Sequence, residues 1–365
     1  MGATADVVII GAGVIGCSIA YHLTMMGCSN VIVLEKDYIG SGSTENCPGG
    51  VRQQFSTEIN IRLSVESIRF FERFEDETGH PADFRQNGYL ILATSPEEIE
   101  IFRQNVELQL KLGVGVYLLS PQEAKEAIPQ LNIQDVLGAT YCSTDGYADP
   151  YSVVQGFASS ARRHGVRICR GTEVIGIKMK GNQVQGVLTS KGDFAAPVVV
   201  NAAGPYAARI GEMAGLDIPV RPSRRHVFIT VPTNEVSKNS PMVVDFHNGF
   251  WFRREGQGLI LGMRNPDEPE GFNTSIDWGF VPSIAEAASH RLPFLEDVGI
   301  IRGLAGLHSD TPDYHAILGQ VPGVDGLFLA CGFSGHGFMH SPAIGRLMAE
   351  HILGRGNYSE ISPLT

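Results

Sequence analysis

Residues 7–16 read Val7-Val-Ile-Ile-Gly11-Ala-Gly13-Val-Ile-Gly16, and residues 31–35 read Val31-Ile-Val-Leu-Glu35. An apolar strand runs into a glycine turn, an apolar helix follows, and a second strand ends on an acid. In such a unit the first glycine makes the tight turn and the second lets the backbone approach a pyrophosphate. The third lets the helix pack close to the strand. The helix N–H groups and the positive end of its dipole then face the phosphates. Ile15, Ile19 and Leu23 recur every four residues as one buried face, and Gly27 ends the helix. Glu35 is placed to accept hydrogen bonds from ribose hydroxyls, and its charge disfavours a 2′-phosphate. The complete unit, with an acid about 20 residues after the glycines, predicts a dinucleotide site. It does not by itself separate a nicotinamide from a flavin dinucleotide.

The 365 residues suggest two domains. A formal charge of −11 argues against a nucleic-acid or anionic-membrane surface. The six cysteines (Cys17, Cys28, Cys47, Cys142, Cys169, Cys331) form no C-x-x-C pair and no zinc spacing, so no metal site is expected. Buried free thiols favour a reducing compartment, cytoplasmic or an organelle matrix. A first strand at about residue 6 leaves no room for a signal or transit peptide, and no apolar run reaches membrane-spanning length.

Further along, Ile59, Leu63, Phe70, Phe71 and Phe74 predict one helix from about Thr57 to Thr78. Ser95-Pro-Glu-Glu98 and Ser120-Pro-Gln-Glu123 read as capping boxes, and Asp149-Pro150 opens another helix. Strands are expected at 172–178, 183–189 and 198–201, the last running into the small residues Ala202-Ala203-Gly204. Between Pro219 and Met263 strands dominate, which reads as a mostly antiparallel sheet. Gly326–Gly332 is then a strand, Phe333-Ser-Gly335-His336-Gly337-Phe338 a glycine-rich turn, and Ile344, Leu347, Met348 and Ile352 lie on one helix face.

This second strand–turn–helix lies far from the first. A nicotinamide dinucleotide needs one pyrophosphate site. FAD is longer, and its ring system needs an anchor of its own. A helix N-terminus aimed at the pyrimidine end would stabilise the charge of the reduced ring. If the two glycine turns fold together, the cofactor domain is discontinuous and the strand-rich domain is inserted in it.

Several segments together resemble the D-amino-acid-oxidase-like family of FAD oxidoreductases. They are Gly11–Gly16 with Glu35, Gly40-Ser-Gly-Ser-Thr44, Gly49-Gly-Val-Arg-Gln-Gln-Phe55, Thr172-Glu-Val174, Val200-Asn-Ala-Ala-Gly204, Thr311-Pro-Asp313 and Gly332-Phe-Ser-Gly-His-Gly-Phe338. Within that family the chain is most similar to the β subunits of heteromeric sarcosine oxidases and to dye-linked L-proline dehydrogenases. The resemblance implies an α/β architecture. A discontinuous Rossmann-like FAD-binding domain (1–84, 145–218, 306–365) would carry an inserted substrate domain with a mixed or antiparallel sheet (85–144, 219–305). It implies that Val174 flanks the adenine, that Ser43 and Thr44 contact the pyrophosphate, and that Gly337, Phe338 and Met339 line the pyrimidine end. It extends the cofactor contacts to Val14, Ile15, Lys36, Gly50, Val51, Ala202, Ala203, Gly204, Gly306, Gly335 and His336.

The family reaction is oxidation of an amine C–N bond by hydride transfer to flavin N5. Arg52 reads either as a bidentate clamp for a substrate carboxylate or as a charge partner of the flavin loop. Trp251 reads as a pocket aromatic or as core. His226 reads as structural or active-site, and His336 as a flavin-facing residue or part of a plain connection. Three departures from relatives matter. Ile260 stands where monomeric sarcosine oxidases carry the lysine that promotes reaction with oxygen. Gly306 stands at their covalent flavin link, which implies non-covalent FAD. His308 replaces a carboxylate-binding arginine, and Met339 a common lysine. The leading expectation is an FAD-dependent dehydrogenase for a sarcosine- or proline-like amine, with an electron carrier, quinone or dye as acceptor and a partner subunit possible. An oxidase releasing hydrogen peroxide and a non-enzymatic FAD-containing assembly factor are the alternatives.

Overall fold

The computed structural model describes residues 3–355. Residues 1–2 and 356–365, the outer ends of the ranges expected for the cofactor domain, lie outside the described residues.

Val7–Ile10 and Val31–Leu34 are strands in which every residue is buried. Four-residue runs of β-branched and leucine side chains with no polar alternation suit a parallel sheet covered on both faces. They lie in a six-stranded sheet, in the order Ile317–Gln320, Leu327–Cys331, Val198–Asn201, Val7–Ile10, Val31–Leu34, Arg167–Cys169. All neighbours are parallel except the first pair. The strand before the second glycine turn is thus one strand removed from the first unit. The helices that follow the two turns, Val14–Met25 and Gly337–Ile352, also pack together. Gly345 permits this: a Cβ there would sit 2.1 Å from Ser18 Oγ, which donates to the Ser341 carbonyl at 2.7 Å.

An eight-stranded sheet holds Ile300–Asp310, Arg221–Thr230, Gly258–Met263, Trp251–Glu255, Met242–Asp245, Tyr89–Ala93, Gly138–Cys142 and Val116–Leu119, in that order. Its only parallel pair is Met242–Asp245 with Tyr89–Ala93. Side chains alternate between its faces. Leu90, Leu92, Val243, Phe252, Leu261 and Phe228 point to the back, against Ile284, Ala288 and Leu292 of the helix Val281–Arg291. Arg291 on that helix is 1% exposed and bonds Asp245 Oδ2 at 2.5 Å and Asp135 Oδ1 at 2.9 Å, which ties helix to sheet. The opposite, front face carries Tyr89, Met242, Trp251, Arg253, Ile260, Arg225 and His308. It looks toward the first domain: Arg253 Nε donates to the Pro48 carbonyl at 2.9 Å and its guanidinium lies 4.4 Å from the Tyr147 ring centre. A smaller four-stranded sheet and the pair Gly50–Val51 with Gly146–Tyr147 complete the architecture. The whole is a mixed α/β fold with a Rossmann-like sheet and a largely antiparallel substrate sheet.

Both capping boxes form, at Ser95/Glu98 and Ser120/Glu123, and Asp149 Oδ2 accepts from the Ser152 N–H. The long helix expected over 57–78 is instead two, Glu58–Phe71 and Phe74–Thr78. The break at Glu72–Arg73 turns Phe74 onto Gly156, where a Cβ would lie 2.5 Å from the Phe74 ring. The strand expected at 172–178 runs from Val174 to Lys180. No helix among the described residues is long and apolar enough to cross a membrane.

Candidate active site

At the carboxyl ends of the central strands, Gly11 has φ +104°, and a Cβ on it would meet the Ala202 carbonyl oxygen at 2.5 Å. A Cβ on Gly16 would meet the Gly11 carbonyl oxygen at 2.0 Å. Both positions therefore require glycine. Gly13 opens the helix without a side-chain cap, unlike Ser95, Ser120 and Asp149 elsewhere in the chain. Thr44 Oγ1 accepts the Val14 N–H at 3.1 Å. Glu35 sits just past its strand. One oxygen accepts the Ala12 N–H at 2.8 Å and the other the Asp37 N–H at 2.9 Å, so the carboxylate also fixes the glycine turn. Its main chain bonds Thr172, which brings Val174 alongside. Lys36 Nζ lies 3.7 Å from the Tyr206 ring centre, just after Ala202-Ala203-Gly204. Ile15, the remaining nucleotide candidate, is buried in the helix. These residues form an uncapped helix start beside an acid and an aromatic wall, a donor set that fits the ADP portion of a dinucleotide.

The loop that carries Ser43 and Thr44 reaches the strand Ile300–Asp310 of the large sheet, although the last residues of that strand were expected in the cofactor domain. Ser43 Oγ donates to the Leu307 carbonyl at 2.5 Å, and Gly306 abuts Asn46, where a Cβ would lie 2.6 Å from Asn46 Cβ. Gly50 abuts Tyr89, its would-be Cβ 2.1 Å from the phenol oxygen. Val51, Phe338 and Met339 are buried. The second glycine turn closes the site. Ser334 and Gly335 have φ +49° and +91°, and His336 begins the last helix without a side-chain cap. The site thus has two uncapped helix starts, one for each end of a long cofactor.

Arg52 extends from the Gly50–Val51 strand. Nη1 donates to the Gln54 carbonyl at 2.9 Å, Nη2 to His336 Nε2 at 3.4 Å, and the guanidinium stacks 4.4 Å from the Phe55 ring centre. It ion-pairs with no carboxylate among the described residues. Burial lowers the pKa of both partners, and Arg52 further opposes a charge on His336, so that imidazole is neutral and free to accept. Trp251 is half-buried on the front face, its ring over Gly262. Ile260 is in register between Arg253 and Ile229 on that face.

Four groups were not singled out in the sequence. Asp145 is fully buried and accepts from the Gln53 N–H (2.9 Å), Gln53 Nε2 (3.1 Å) and Gln54 Nε2 (3.0 Å), which fixes the segment after Arg52. Burial pushes its carboxyl up to about 6. Asp310 accepts from Ser223 Oγ (2.5 Å) and Arg225 Nη2 (3.0 Å), two residues beyond His308 on the same strand face. Burial would raise its carboxyl, but Ser223 Oγ and the nearby His308 and Arg225 outweigh it and hold it down to about 2. Arg264 bonds the Tyr314 phenol at 3.3 Å. Nothing local in the sequence marks these groups, because each is defined by a strand partner or a loop remote in the chain. His226, by contrast, is structural: its Nε2 accepts the Asp277 N–H at 3.0 Å on the back of the sheet.

Residues 6–351 match the family model described as "FAD dependent oxidoreductase" (DAO). The chain belongs to the DAO family of FAD-dependent oxidoreductases. It is 32% identical to FAD-dependent oxidoreductase domain-containing protein 1 of Xenopus laevis, over 96% of this chain and 80% of that protein. It is 31% identical to mitochondrial dimethylglycine dehydrogenase of Rattus norvegicus and to mitochondrial sarcosine dehydrogenase of Homo sapiens, over 96% of this chain in each case. It spans only 43% and 40% of the length of those two relatives. Among solved structures, L-proline dehydrogenase from P. horikoshii superposes with a TM-score of 0.92 at 35% identity, covering 99% of this chain and 96% of that one. Glycine oxidase from Geobacillus kaustophilus gives 0.87 at 26% identity, covering 100% and 99%. As a member of this family the chain is an FAD oxidoreductase, and the two uncapped glycine turns are suited to its cofactor.

Proposed function

We propose that this chain is a dehydrogenase for a small secondary amine or amino acid of the sarcosine or proline type, oxidising a C–N bond. Bound FAD supplies the two-electron acceptor at N5, held non-covalently because Gly306 offers no side chain for attachment. Gly11, Gly13, Gly16, Glu35, Lys36 and Thr44 would hold its nucleotide portion, and Gly335–Met339 its pyrimidine end. The observation that carries the reading is Arg52, a half-buried cation without a carboxylate partner among the described residues, stacked on Phe55 and hydrogen-bonded to the flavin-side turn. A substrate carboxylate completes its fork of donors. Trp251, half-buried on the front face, would wall the pocket, where an apolar substrate body displaces water.

Ile260 favours a dehydrogenase over an oxidase. It offers no positive charge to stabilise superoxide on the front face. Electrons would pass to a carrier protein, quinone or dye, with a partner subunit as one way of docking the acceptor. Sarcosine, L-proline and D- and L-amino acids, mixed anaerobically with the purified flavoprotein, test the reading. Bleaching of the visible flavin band by a secondary amine, followed by slow reoxidation in air, is the expected outcome. Rapid reoxidation with peroxide would make it an oxidase. No bleaching by any member of the panel would favour a structural role for the flavin.

A further inference from the structure

The reaction proposed above has an unassigned requirement. A hydride leaves the carbon next to nitrogen readily only when that nitrogen holds a free electron pair. An aliphatic amine in water at neutral pH is an ammonium, as a lysine side chain is. One proton must therefore leave the substrate nitrogen, and some group must take it.

The front face of the large sheet offers one imidazole for this. His308 lies in the strand Ile300–Asp310, and its ring is half-buried against the second glycine turn. A Cβ on Gly335 would sit 2.6 Å from His308 Cε1 and 3.1 Å from Nδ1. At φ +91° Gly335 is a position that favours glycine for its backbone alone, and its missing side chain is the space the imidazole fills. The two segments are tied together: Ser334 N–H donates to the Ser309 carbonyl at 3.0 Å, and Thr311 N–H donates to Ser334 Oγ at 3.1 Å. His308 is therefore held at the turn that receives the flavin ring.

Asp310 lies two residues on, on the same face. Its Oδ2 is bonded to Ser223 and Arg225. Its Oδ1 is buried without a hydrogen-bond partner. That orphaned oxygen is 3.7 Å from His308 Nδ1, about half an ångström beyond hydrogen-bond range. A buried carboxylate oxygen without a donor is costly, and a small rotation of the imidazole supplies one. An Nδ1–H directed at Asp310 leaves the Nε2 electron pair as the acceptor on the other edge of the ring. Catalytic hydrogen bonds of this kind are often long until substrate is in place.

The charges around the ring point the same way. Arg225 on the neighbouring strand, Arg264 after the next strand and His336 in the turn face it, and Asp310 is the acid beside it. Burial, Arg225 and Arg264 lower the imidazole pKa from its ordinary 6.5 while Asp310 opposes them, so the ring is neutral at pH 7. The same cations, with Arg52, disfavour an ammonium entering the pocket.

We propose that His308, oriented by Asp310, accepts the proton of the substrate ammonium. This rests on the amine-oxidising reading given above. The N–H bond breaks with its electrons staying on nitrogen, and the proton goes to His308 Nε2. The substrate C–H bond then breaks, its electron pair and hydrogen leave to the oxidised flavin, and the substrate departs as an imine or iminium. Asp310 is a positioning residue that touches only the imidazole and balances its charge after the transfer.

The test follows flavin bleaching in the holoprotein after anaerobic mixing with sarcosine or L-proline, across pH. In the wild type the rate falls as pH drops and His308 becomes protonated. His308→Gln lowers the rate at pH 7 by about 10²-fold, and the remaining rate rises only at the higher pH where the free amine appears unaided. A His308→Gln enzyme with the wild-type rate and pH profile overturns the proposal while the amine reading stands. A wild-type flavin that dithionite bleaches but neither amine does overturns both. A second readout needs no substrate. NMR of the imidazole nitrogens in the holoprotein is expected to show the Nδ1–H tautomer at His308, with a pKa that Asp310→Asn lowers. A titration that Asp310→Asn leaves unchanged removes Asp310 from the scheme.

Discussion

Arg52 and His336 meet across 3.4 Å, Nη2 to Nε2, although 284 residues separate them in the chain. One comes from the short strand after the first glycine unit and the other opens the last helix. The pair joins the proposed substrate anchor to the second glycine turn. Arg52→Lys keeps the charge but loses the planar fork. The expected result is a kcat/KM for sarcosine or proline lowered roughly 10–100-fold, the range for a charged hydrogen bond. The loss should lie mainly in KM, as read by steady-state dye reduction.

Gly16 faces the Gly11 carbonyl oxygen at 2.0 Å from where a Cβ would stand, and backbone cannot move aside as a flexible side chain can. Gly16→Ala is expected to purify without flavin absorbance and with a lowered Tm. Gly27→Ala, whose Cβ would meet nothing within 4 Å, isolates the effect of positive φ alone and should keep its flavin.

Asp145 gives the protein a pH-dependent stability term. Its carboxyl is raised in the fold from 3.8 to about 6, so between those values the folded state binds more protons than the unfolded chain. Stability from this group is complete below about pH 4 and is lost as pH rises through about 6. A two-unit shift corresponds to something on the order of 2–3 kcal/mol. Denaturant titrations of wild type and Asp145→Asn from pH 4 to 7 should diverge in slope over that window. Parallel curves would remove the assignment.

Arg291 is enclosed between Asp245 and Asp135. Arg291→Met leaves Asp245, itself buried, without its counter-charge. The expected destabilisation is about 3–5 kcal/mol, measured by urea unfolding. Because the pair lies on the back of the sheet, kcat in the folded fraction should be unchanged.

Ile260→Lys places a cation on the front face. Reoxidation of the reduced flavin by air is expected to accelerate at least about tenfold, with hydrogen peroxide as product, if charge there limits the reaction with oxygen. Stopped-flow reoxidation measures it. An unchanged rate would shift the explanation from charge to access.

The sequence makes legible what is local. Gly11–Glu35, the capping boxes at Ser95 and Ser120 and the turn at Gly335 each carry their geometry within a few residues, and each stands where its spacing puts it. The single helix expected over 57–78 failed because its break depends on Gly156, which lies on another helix. The strand Tyr89–Ala93 was not predicted from the sequence. Its pairing with Met242–Asp245 is a contact across about 150 residues that no periodicity reports. Asp145 and Asp310 were passed over for the same reason. Their meaning lies in Gln53, Gln54, Ser223 and Arg225, which reach them only in the fold.

The loop that holds Thr44 against the first helix also holds Ser43 against Leu307, one residue from His308. One short stretch of chain thus bonds the start of the first helix with one hydroxyl and the strand that carries His308 with its neighbour. On the assignment proposed above, cofactor uptake and the shaping of the substrate pocket would be mechanically linked. A lesion that loosens the phosphates should blur amine selectivity, even though it touches nothing the amine touches.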